Sequence, residues 1–125
     1  MIATIATVGA GLVGAAVVTM GANFFRAPQA ASGFGIPGTP VDDPTFRSWL
    51  GVKANRDIGT GLLLLAVLVG GTQDLLGAVM IAAAVMPLGD AITVARAKGP
   101  KATVYGVHAA TAAVMVLIGI VLLVA

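Results

Sequence analysis

The sequence has no cysteine, which removes disulfides, thiolate metal sites and iron–sulfur centres from consideration. Its single histidine, His108, rules out a histidine-rich metal site. Charge is scarce too: charged residues make up 10% of the 125 positions, against 58% hydrophobic ones, and mean hydropathy is +1.03. So little charge cannot coat a water-soluble surface, and an ordinary soluble fold is excluded. There is no phosphate-binding glycine loop. Gly9-Ala10-Gly11 and Gly59-Thr60-Gly61 sit in apolar runs with no Lys-Ser/Thr following, so they read as packing glycines. The first apolar run lacks a basic lead and is too long for a signal peptide, so it reads as a retained helix.

What is present instead is four apolar spans, at about 2–24, 45–71, 75–97 and 102–125. Each has at least 23 residues, and at 1.5 Å per residue each reaches roughly 34 Å or more, enough for a hydrocarbon core of about 30 Å. The predicted fold is all-α: one domain over 1–125, an antiparallel transmembrane four-helix bundle whose partner is the lipid bilayer. Lys98-Gly99-Pro100-Lys101 joins the last two spans as a tight hairpin. The seven basic residues, Arg26, Arg47, Lys53, Arg56, Arg96, Lys98 and Lys101, all fall on or near the side of loops 25–44 and 98–101. By the positive-inside rule those loops are cytoplasmic and both termini lie outside, in the plasma (inner) membrane. The basic residues thus read as topology signals and not as a nucleic-acid surface.

Span one carries small-xxx-small pairs, Ala10/Gly14 and Gly11/Ala15, which let helices approach closely in lipid. They read first as packing within the bundle, and they permit a homodimer without requiring one. The linker that follows is rich in Pro and Gly, yet it holds Phe34 and Ile36. Both a lid over the bundle mouth and a plain surface connector fit it. Asp43 and Pro44 are expected to cap and open the second helix. In span three, Pro87 predicts a kink, because it lacks an amide donor and crowds the carbonyl of Ala83.

The informative residues are the polar ones inside the spans. Lys53-Ala54-Asn55-Arg56-Asp57 heads the apolar run of helix two, with Lys53, Asp57 and Gly61 on one face at i, i+4 spacing. Asp90 lies about two turns short of the 98–101 turn, and His108 lies about two turns beyond it. An aspartate within a span costs about 2.5–3.5 kcal/mol near the centre and normally faces the interior. Antiparallel topology therefore sets Arg56, Asp57, Asp90 and His108 at one depth. Tyr105, His108 and Thr111 or Ala112 are expected to share one face of span four.

A carboxylate and a histidine in a low-dielectric site are equipment for proton transfer. Asp90 and His108 are thus the candidate catalytic pair. Asn55, Arg56, Asp57 and Tyr105 are the candidate ligand contacts, with Arg56 as anchor for an anionic or carbonyl oxygen. The apolar part of the bundle suits a lipophilic small molecule such as a quinone, terpenoid or fatty ligand. Two other readings stand beside it: a structural or accessory subunit in which the polar group only clasps helices, and a small proton-coupled exporter using Asp90. Asp57, Asp90 and His108 also form a one-histidine, two-carboxylate set, but any three polar groups at one depth would, so no metal site is assigned. The residues name no cofactor, substrate or reaction.

Several motifs occur together: Phe25-Arg26-Ala27-Pro28, Gly33-Phe34-Gly35-Ile36-Pro37, Lys53-Ala54-Asn55-Arg56-Asp57-Ile58-Gly59, Pro87-Leu88-Gly89-Asp90 and Gly106-Val107-His108. In this order they resemble the domain-of-unknown-function 4267 family, small membrane proteins similar in general shape to DoxX-like four-helix proteins. The resemblance implies a four-helix bundle and marks Arg56, Asp57, Asp90 and His108 as characteristic polar positions. It implies no established activity. DoxX-like relatives include quinone-linked oxidoreductase subunits, but that likeness is one of fold alone.

Overall fold

The computed structural model describes residues 1–125, and all of its regular secondary structure is helical. Four long helices run through it: Ile2–Arg26, Pro44–Gly70, Gln73–Arg96 and Lys101–Val124. The first, third and fourth are long and apolar enough to cross a membrane. The second, with 27 residues, is as long, but Arg47, Lys53, Arg56 and Asp57 crowd its first half and lower its hydropathy. The outside of the bundle exposes Ile5, Leu12, Leu63, Val85 and Leu117. A soluble bundle would hide such side chains, and a lipid-facing one presents them.

The second helix starts where the sequence chemistry puts it. The Asp43 carboxylate accepts a hydrogen bond from the Phe46 amide at 2.7 Å, and Pro44 occupies the first turn. The third is capped by Thr72, whose hydroxyl accepts from the Leu75 amide at 3.2 Å. That third helix is interrupted at Ala84, one turn ahead of Pro87, which has no amide hydrogen to donate to the Ala83 carbonyl. The fourth contains a π-helical stretch, Val104–Ala109.

Helix one packs most extensively on helix two, and helix three on helix four. Small residues set both contacts. A Cβ placed on Gly61 would meet the Gly14 carbonyl oxygen at 2.5 Å, and one on Gly77 would meet that of Gly119 at 2.9 Å. Backbones approach this closely only where side chains are absent. Ala10 and Gly14 are buried in these contacts, whereas Ala15 faces outward.

The half of the bundle near the termini is a dry core built on Ala6, Leu64, Leu76, Met80, Met115 and Leu122. At the opposite end the linker forms a short 3₁₀ helix, Pro28–Phe34, closed by Gly35 with φ of 106°. Gly35 fits against Val94, Thr103 and Gly99. The linker thus lies over the end of helices three and four and is packed against them.

A polar-ended cavity between the helices

Lys53 and Asp57 lie one turn apart on helix two, and Lys53 Nζ donates to Asp57 Oδ2 at 2.6 Å. The ammonium also stands 5.1 Å from the Phe24 ring centroid and 5.2 Å from that of Phe34. A carboxylate and two aromatic faces thus hold the cation in place.

His108 is 7% exposed and is the one buried polar side chain. Its Nε2 lies 2.8 Å from the Phe34 carbonyl oxygen. A carbonyl only accepts, so Nε2 carries the proton in this bond. The Phe34 ring packs on the imidazole with centroids 4.5 Å apart and planes at 49°, a tilted contact that aromatic rings favour. No buried side-chain nitrogen or oxygen lacks a partner. His108 Nδ1, which has no protein partner, therefore keeps contact with open space.

Asp90 is half-buried and makes no hydrogen bond or ion pair within the protein. The titratable groups close enough to feel its charge are Lys53, His108 and Asp57. It opens onto a cavity of about 260 Å³ lined by residues of all four helices and by Phe34, and partly open to the outside. Lys53, Asp57, Asp90 and His108 form the polar end of this space, while Val13, Val17, Leu64 and Met115 form much of the rest. A second cavity, about 450 Å³, lies under the linker between Ile36, Pro40, Phe46 and Trp49. Lys53, Phe34 and Asp90 border both.

The structure therefore brings together Asp57, Asp90 and His108 as the sequence suggested, but only His108 is buried; both aspartates are half-buried. Arg56 does not join them. It is exposed, as is Asn55: at about 100° per residue Asn55 points nearly opposite to both Lys53 and Asp57, and Arg56 lies about 100° round the helix from Asp57. Lys53 is the cation of the group instead. Its i, i+4 spacing to Asp57 was the legible signal. Tyr105 is 68% exposed. The π-helical stretch needs more residues per turn than an α-helix, so residues three apart no longer share a face there. Phe34, seen in the sequence only as an apolar linker residue, supplies both a ring and a carbonyl to the site.

A family model described as a domain of unknown function (DUF4267) matches residues 14–122. No curated protein and no solved structure matches the chain.

Proposed function

Starting from the chain's membership of the DUF4267 family, we propose that it is a four-pass inner-membrane protein that binds a lipophilic small molecule in its central cavity. The carrying observation is the Asp90 carboxylate: it faces that cavity with no partner in the protein. A helix clasp would close its charges on one another. Here the only ion pair in the group lies within helix two, so it joins no two helices. Asp90 and His108 Nδ1 are the open proton acceptors that any acid–base step on the ligand would use.

The four-pass threading is supported by the length of helix two, about 40 Å at 1.5 Å per residue, and by its apolar half from Ile58 to Gly70. All seven basic residues lie toward the linker end, which the positive-inside rule puts in the cytoplasm, with both termini outside. Asn55 and Arg56, on the outward face at that end, suit the headgroup zone, where long basic side chains extend. One observation favours the clasp as a second reading: His108 ties helix four to the linker through Phe34.

Native mass spectrometry of protein drawn from its own membranes in mild detergent separates the two. Ala16 lines the cavity wall but is not itself buried, so Ala16→Phe fills space there at small packing cost. A lipophilic adduct held by the wild type and absent from Ala16→Phe supports the binding site. Equal adducts on both, or none on either, supports the clasp.

A further inference from the structure

Hydrogen-bonding capacity around the central cavity is one-sided. Of its donors, the Lys53 ammonium gives one N–H to Asp57 and lies beside two aromatic rings. His108 Nε2–H is held by the Phe34 carbonyl. Thr111 Oγ donates to the Val107 carbonyl oxygen at 2.6 Å, and Thr60 Oγ is directed at the Met86 sulfur at 3.9 Å. What the protein leaves without any partner is both oxygens of Asp90, Oδ1 of Asp57 and Nδ1 of His108, an acceptor when the ring carries its one proton on Nε2. Charge points the same way. The ionised Asp90 carboxylate has no cation paired with it in the protein, and a partly buried charge left unpaired is costly.

Resting on the binding reading above, we infer that the cavity's occupant is a lipophilic monocation, a protonated amine with a short apolar body. Its N–H groups meet Asp90 and His108 Nδ1, and its body lies among Val13, Val17, Leu64 and Met115. An anionic ligand meets only an ammonium already paired with Asp57 and faces the unpaired Asp90 carboxylate. Size is set by the space. An apolar cavity of about 150 Å³ accommodates benzene, so one of about 260 Å³ takes roughly ten non-hydrogen atoms by the same proportion. Because Asp90 also borders the cavity beneath the linker, an amine arriving from that side meets the same carboxylate first.

Octylamine, octan-1-ol and octanoate share one tail and differ in the group that matters. Each is titrated calorimetrically into the protein in nanodiscs of zwitterionic lipid, with empty nanodiscs as background. The expected result is saturable binding of one octylamine per chain, at least tenfold tighter than octanol, with octanoate not saturating. Asp90→Asn removes a charge-assisted bond and is expected to weaken octylamine about ten- to a hundredfold. Arg56→Gln, outside the cavity, is expected to leave it unchanged. Circular dichroism and thermal unfolding establish that each variant is folded. Octanoate binding as tightly as octylamine, or octylamine binding untouched by Asp90→Asn, overturns the cation inference and leaves the cavity as a site. Saturable binding by none of the three overturns the binding reading itself.

Discussion

The contact between His108 and the Phe34 carbonyl is the one polar tie between the linker and helix four, and His108→Phe tests what it does. The variant keeps an aromatic ring beside Phe34, so the packing worth about 0.5–1.5 kcal/mol is retained. It removes the N–H donor and leaves the Phe34 carbonyl oxygen without one. Losing a partner for a buried acceptor costs about 1–3 kcal/mol. Phe34 is half-buried, so the lower part of that range applies, roughly 1–2 kcal/mol, a factor of about 5–30 in an opening equilibrium. The loss is local, because the helices pack on one another without the linker's help. Hydrogen exchange should therefore rise by that factor at the hydrogen-bonded amides of the Pro28–Phe34 turn, while the first and second helices exchange as before. The linker's anchoring by His108 would be disproved if that turn exchanged at the wild-type rate in a variant whose fold is otherwise intact.

Two further outcomes follow from the backbone. In Gly61→Ala, a gain of about 1 kcal/mol in helix propensity opposes an overpacking cost of about 1–3 kcal/mol. The clash is with the backbone atoms of Gly14 and Val18, which cannot rotate aside, so the cost wins and unfolding in denaturing detergent comes earlier. Gly59→Ala, with nothing within 4 Å of the new methyl, keeps only the gain and unfolds no earlier than the wild type. In Gly35→Ala, a positive φ of 106° is imposed on a residue with a side chain, and its Cβ lies 2.7 Å from Thr103 Cγ2. The Pro28–Phe34 turn loses protection as in His108→Phe, measured by the same exchange experiment.

Much of the fold is legible in the sequence because membrane spans announce themselves by composition. Helix one needs only an apolar run of the right length, and Asp43-Pro44 writes the start of helix two in local chemistry. The break ahead of Pro87 follows from one missing amide. The site is harder for two separate reasons. Phe34 and His108 are 74 positions apart, so nothing in the linear order joins the linker to helix four. Lys53 and Arg56 are three apart, and choosing between them requires knowing which face of helix two turns inward. The pairing of Lys53 with Asp57 carries that information, but an arginine beside an aspartate in sequence suggests the wrong cation. Tyr105 was misdirected by an assumption of regular α-helix, and no residue in Val104–Ala109 signals the π-helical stretch that rotates it outward.

The chain has no native cysteine, so single-cysteine variants report one position cleanly, and a thiol ionises and reacts only where water reaches it. Asp90→Cys and Leu88→Cys lie within one turn of each other on helix three, the first lining both cavities and the second 50% exposed on the outer face. In lipid bilayers, a small charged methanethiosulfonate reagent should modify Asp90→Cys at least tenfold faster than Leu88→Cys. Leu88→Cys reacting as fast, or Asp90→Cys staying inert, would mean that the carboxylate does not face a water-connected space among the helices.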